Sequence, residues 1–168
     1  MKIKYILISI LTLAIISINV FASTPISGGK FKNWESFMMQ TEKGKVCFAQ
    51  TKPVKRSPKV IKRNDSRIFV SFRPGENIND EVSVTSGHNY KTSSVTAKSG
   101  KNSFSFFSQN DFAWLLDERE EKKFIKVMKR ATDLMIIGKT TDGAETTDHY
   151  SMMGFTKAYN AAKKSCAR

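Results

Sequence analysis

DLMIIGKTTDGAETTDHYSMMGFTKAYNAAKKSC, residues 133–166, decides how the rest of the chain is read. Leu134 to Ile137 is an apolar strand, and Leu134, Ile136 and Gly138 face one way. Asp142-Gly143 supplies a turn, and Thr146 to Met152 returns as a second strand. Gly154 to Ser165 then reads as a helix, with Phe155, Ala158, Tyr159 and Ala162 at helical spacing. Cys166 closes the stretch, and the other cysteine is Cys47, far upstream. A bond between them would tie the last helix back to the start of the fold.

Working outward, the N-terminus has the pattern of an export signal. Lys2 and Lys4 precede an apolar run from Tyr5 to Val20, and Val20-Phe21-Ala22 offers a cleavage site after Ala22. The run is shorter than the roughly 20 residues that a spanning helix needs, so no transmembrane segment is expected in the mature chain. The expected organisation is a signal peptide over 1–22, a flexible leader over 23–32 and one domain over 33–168. Export with cleavage follows. In an oxidising compartment two cysteines most simply pair, which makes Cys47–Cys166 the expected disulfide. A reactive thiol would instead want a histidine beside it, and the sequence shows no such pairing.

The 168 residues carry 28 Lys and Arg against 15 acids, a net charge of +13. Loss of Lys2 and Lys4 leaves 26 cations against 15 acids, or +11. Such a chain is drawn to anionic surfaces. The charge peaks in KPVKRSPKVIKR, residues 52–63, whose candidates for binding an anion are Lys52, Lys55, Arg56, Lys59, Lys62 and Arg63. Two prolines argue against a central strand, so this is an exposed loop or an edge segment. It serves either anion binding or the protection of a sheet edge from pairing with another chain.

Eight strands are predicted, with hairpin spacing, and these suggest two packed antiparallel sheets. Ile68, Val70 and Phe72 share one face, as do Phe104 and Phe106 in a later hairpin. The spacing also predicts a helix to about Ala131, capped by Asp117 with Glu120 as its capping-box partner. Phe124, Met128 and Ala131 lie on one side of it and Lys122, Lys126 and Arg130 on the other. Its acidic first turn favours packing on the sheet over lying on a membrane.

Residues able to carry a reaction are sparse. Asp148-His149-Tyr150-Ser151 holds the letters of a hydrolytic triad, but neighbours on a strand point to opposite faces. His88, His149 and the cysteines lack the spacing of a metal site, so no metal or other cofactor is expected. Met38-Met39 and Met152-Met153 read as core filler rather than soft-metal ligands. Export disfavours nucleic acid, and no aromatic-plus-basic platform is evident. A non-enzymatic protein is expected.

The ordered pieces Lys32-Asn33-Trp34, Val46-Cys47, Phe112-Ala113-Trp114 and Val127-Met128-Lys129 precede a block formed by Gly143, Thr147-Asp148-His149-Tyr150-Ser151, Gly154-Phe155 and Cys166. In order and spacing the chain resembles the invasion-associated locus B family of exported bacterial proteins. The resemblance implies a mainly β fold, an antiparallel immunoglobulin-like β-sandwich with two short helices. It implies a place in the periplasm or at the cell surface, and some relatives are linked to invasion of host cells. It carries over no catalytic residue. The expected partner is an anionic envelope or host-surface polymer, or else a protein partner in the envelope. An enzyme of unrecognised type is the remaining alternative.

Overall fold

The computed structural model describes residues 24–167. The expected signal peptide and cleavage after Ala22 lie outside the described residues. Eleven strands and two α-helices form among those described. The first strands are β1 (Ile26–Phe31), β2 (Trp34–Thr41), β3 (Gly44–Thr51), β4 (Lys55–Ser57), β5 (Arg67–Arg73) and β6 (Ile78–Thr85). They are followed by β7 (Val95–Ser99), β8 (Asn102–Gln109) and β9 (Phe112–Trp114). Helix α1 (Glu118–Arg130), β10 (Asp133–Lys139), β11 (Glu145–Ser151) and α2 (Phe155–Cys166) complete the domain.

Every strand pairing is antiparallel, in the order β1-β2-β3-β5-β6-β9-β8-β7-β10-β11-β4. Strand β8 is the corner. Its first half, Asn102 to Phe106, pairs with β7, and Phe107 to Gln109 pairs with β9. The sheet therefore folds over at β8 into a β-sandwich, and alternate residues of both halves fill one core. Trp34, Cys47, Ile68, Val70, Val82, Val84, Leu134, Ile136 and Tyr150 are buried there.

The hairpin that opened the sequence reading forms as expected. Leu134 faces Tyr150 and Ile136 faces Asp148, both pairs inward, while Met135 and His149 pair on the outside. Gly143 takes a φ of 93°, and its N–H donates to the Thr140 carbonyl at 2.9 Å. Both helices pack on the core side. Phe155 meets Trp34 at 4.7 Å between ring centroids, and Tyr159 meets Phe72 at 5.4 Å. Phe124 of α1 packs on Phe104 and Phe106. Asp117 caps α1 by accepting from the Glu120 N–H at 2.9 Å. The Glu120 carboxylate turns to Lys123 instead of closing the capping box. No helix of the described residues is long and apolar enough to cross a membrane.

Three strands were not anticipated. Residues 26–31, expected to be part of a flexible leader, form β1 against β2, with a bulge between Ser27 and Gly29 that absorbs the two glycines. Gly154 holds β1 from behind: its φ is 96°, and a Cβ there would run into the Phe31 carbonyl. Residues 55–57 form β4 on the open edge of β11, the edge-segment alternative for the basic stretch. Strand β9 is too short for periodicity to reveal. Met152 is core filler, as expected, but Met153 is half exposed.

Candidate functional site

The fold divides the six cations of the basic segment. Arg63 turns inward and grips Asp148 with two parallel hydrogen bonds, Nη1 to Oδ2 at 3.0 Å and Nη2 to Oδ1 at 2.8 Å. It also donates to the carbonyls of Ser86 and Ser57. The Asp148 side chain is 0% exposed and the Arg63 side chain 1%. Arg56 donates to the Asn64 carbonyl at 2.6 Å and lies 3.9 Å from Asp148. Arg63 is not offered to an outside anion, which corrects that expectation, while Arg56, whose side chain is 34% exposed, is partly committed. A carboxylate buried among Ile136, Leu134 and Tyr150 needs both a counter-charge and full hydrogen bonding, and the basic segment supplies them. Lys52 pairs with Asp65 at 2.8 Å on the surface. Hydrogen bonds from Lys52 and Arg67 hold the Asp65 carboxyl below the usual carboxylate range. Lys55, Lys59 and Lys62 remain exposed.

The triad letters come apart as strand geometry requires. Asp148 points into the core and His149 to the opposite face. His88 lies with Nε2 2.9 Å from the Thr146 hydroxyl and Nδ1 3.0 Å from the Asn89 carbonyl. Among the described residues no group of three or more His, Cys, Asp or Glu could hold a metal ion. Cys47 and Cys166 are bonded, with Cα atoms 5.7 Å apart.

The feature the sequence reading missed lies on the outer face of the sheet. Residues that alternate with the core positions place Phe37 on β2, Phe48 on β3, Phe69 on β5, Phe112 and Trp114 on β9, and Phe107 on β8. Their rings form one continuous row. Successive centroids are 5.3 Å apart for Phe37–Phe48, 6.0 Å for Phe48–Phe69 and 6.3 Å for Phe69–Phe112. Phe112–Trp114 at 5.8 Å and Trp114–Phe107 at 5.5 Å complete it. On the intervening strand β6 the outward residue is the small Ser83, so the rings close over it and bury it. The rings screen one another in part, and Phe107 is 43% exposed. Helix α2 packs on the core side of β1, β2, β3 and β5, away from the row, and α1 reaches the β8–β9 end of the row through Glu121.

The row runs between two clefts. At the β2–β3–β5 end a cleft of about 320 Å³ is lined by Lys30, Lys32, Glu35, Gln50, Lys52 and Arg67. At the β8–β9 end a cleft of about 460 Å³ is lined by Arg73, Glu81, Phe107, Gln109, Trp114 and Glu121. Arg73 and Glu81 face each other there through two hydrogen bonds of 2.9 and 2.7 Å. The folded chain thus carries an aromatic-plus-basic surface that the sequence did not display. A hint was present in β3 and β5, where Val46-Cys47-Phe48-Ala49 and Ile68-Phe69-Val70 are apolar at every position. Strands that bury only one face alternate with polar residues.

Glu121 is the second residue the sequence reading did not single out. It looked like one more first-turn acid, but its side chain turns under α1 and accepts the Val82 N–H at 3.1 Å. Burial pushes its carboxyl up to about 7, with Glu81 and Asp80 adding to the rise. Between the ordinary glutamate range and about pH 7 the folded chain therefore holds a proton that the unfolded chain has released. Stability falls as pH rises through that window and levels off above it. Glu121→Gln keeps an acceptor for Val82 and removes the charge. It is expected to stabilise the protein by about 1–2 kcal/mol at pH 8, less than the whole shift because the carboxylate reaches an open cleft, and by almost nothing at pH 4.5. Urea unfolding at the two pH values checks this; equal effects at both would count against it.

No family model matches the chain, and no curated protein matches it. Among solved structures it is similar to the crystal structure of invasion associated protein B from Bartonella henselae, over 84% of this chain and 97% of that one. The TM-score is 0.57 and the sequence identity 14%, a likeness of fold between chains of dissimilar sequence.

Proposed function

We propose that the protein is an exported, non-catalytic component of the bacterial envelope that works by binding at its surface. The uncovered aromatic row carries this reading. Rings lined up on the outer face of five strands, five of them half-buried against their neighbours and Phe107 exposed, add little to a core that is already complete on the other side, and a contiguous aromatic surface of this kind marks a contact surface. The residues whose types could support a reaction are otherwise engaged: Asp148 by Arg63, and His88 by Thr146 and Asn89. The cysteine pair suits an oxidising compartment, and the likeness of fold to invasion associated protein B supports a place at the cell envelope. Contact with host cells is the finer form of the same reading.

Cell fractionation tests it. The expected result is a chain shortened at Ala22, with Cys47 and Cys166 oxidised, recovered from the periplasm or the cell surface. A full-length chain with two free thiols in the cytosol would sink the proposal.

A further inference from the structure

The two faces of the sandwich are unequal. The outer face of the β5–β3–β2 half carries the aromatic row, and the row continues directly into the cleft of Lys30, Lys32, Lys52 and Arg67. The only acid among the residues lining that cleft is Glu35, which faces Lys30 at 3.4 Å. Lys52 and Arg67 share the exposed Asp65. Such solvent-exposed pairs are weak and exchange readily for another anion. The long axis of the surface is therefore apolar and aromatic, with excess positive charge at one end.

We propose that this surface binds an acidic polysaccharide, with sugar rings laid along the aromatic row and a carboxylate or sulfate group in the cationic cleft. This rests on the binding-protein reading above and names its ligand class. A pyranose ring presents a face of C–H bonds that packs on an aromatic ring, and an edge of hydroxyls that needs donors and acceptors. Gln50 and Arg67 provide them at one end of the row and Gln109 and the Arg73–Glu81 pair at the other. Without residues 1–22 the chain keeps 26 cations against 15 acids, and this +11 adds long-range attraction for a polyanion. Single-stranded nucleic acid fits less well, because it carries a phosphate at every nucleotide and wants cations along its whole track. Here the middle of the row is edged by Ser71 and Ser83, and Glu35 and Glu81 add negative charge beside it. A protein partner would want a broad apolar centre, whereas this row is narrow and edged by the polar residues Ser71 and Glu81.

The test is affinity electrophoresis of the purified, disulfide-bonded protein at low salt. The probes are polygalacturonate, the same polymer with its carboxyls reduced to neutral sugar, and oligothymidylate. Polygalacturonate is expected to retard the protein and the reduced polymer to do so several-fold less. Trp114→Ala and Phe69→Ala should each weaken binding by about tenfold. Their folding is checked by urea unfolding, and Lys30→Gln/Lys52→Gln serves as the variant that cannot disturb packing. That pair should weaken binding to polygalacturonate and flatten its salt dependence, while Lys55→Gln/Lys59→Gln/Lys62→Gln leaves binding unchanged. The proposal is overturned if the last triple variant loses binding while Trp114→Ala and Lys30→Gln/Lys52→Gln retain it. Tighter binding of oligothymidylate overturns it in favour of nucleic acid. No retardation by any polymer overturns it too, and leaves export, read separately by fractionation, standing.

Discussion

Asp148→Ala is expected to lower stability by about 3–5 kcal/mol, because it strands the Arg63 guanidinium in the core without a counter-charge. The loss has two parts. Arg63 keeps its bonds to the Ser86 and Ser57 carbonyls but gives up both bonds to the carboxylate. Its positive charge then remains in a low-dielectric setting or must drag the segment of residues 58–63 outward to reach water. Because Arg56 and Lys55 sit on β4, the edge strand should loosen with it. Asp148→Leu combined with Arg63→Met removes both charges and should cost less than Asp148→Ala alone. Urea midpoints at an unchanged m-value measure both. A loss below about 1 kcal/mol for the alanine variant would mean that the pair is not the anchor described here.

Removing the disulfide should cost a similar amount for a different reason. Cys47→Ala/Cys166→Ala opens a loop of 119 residues, and the chain-entropy argument puts the loss at about 4–5 kcal/mol. Most of that arises in the unfolded chain. In the folded one, α2 stays docked through Phe155, Ala158, Tyr159 and Ala162, and Trp34 and Phe72 remain covered. The expected result is a near-UV spectrum like that of the parent together with a much lower unfolding midpoint. Loss of the near-UV signal before any denaturant is added would show instead that the sulfur bridge, not the apolar face, holds α2 in place.

These two contacts also show what a sequence makes visible. The β10–β11 hairpin, the Asp117 cap and the cysteine pair are legible because each rests on a simple rule: alternation, a capping residue three positions from its donor, and two cysteines behind an N-terminal stretch with the pattern of an export signal. Arg63 and Asp148 are 85 positions apart and meet only because β4 pairs with β11. In the sequence Arg63 is one cation among six, and nothing separates it from Lys62. The aromatic row is hidden for the same reason. Phe37, Phe69 and Trp114 each occupy an ordinary strand position, and the strand order β2-β3-β5-β6-β9 brings their rings into one line. Glu121 was masked by its neighbours, since Glu118 and Glu120 are the first-turn acids that the helix dipole favours. Strand β1 was masked by Gly28-Gly29, whose local preference for flexibility is overridden by pairing with Trp34 to Met38 of β2.

The covering of Trp34 and Phe72 by α2 also sets an order of events. A chain that emerges N-terminus first lays down β2, β3 and β5 long before the residues that shield them, so these two rings lack their cover until synthesis is nearly complete. Burial is completed only when the last helix arrives, and the same arrival brings Cys166 within reach of Cys47. Oxidation of this pair is thus a report that the whole domain has closed.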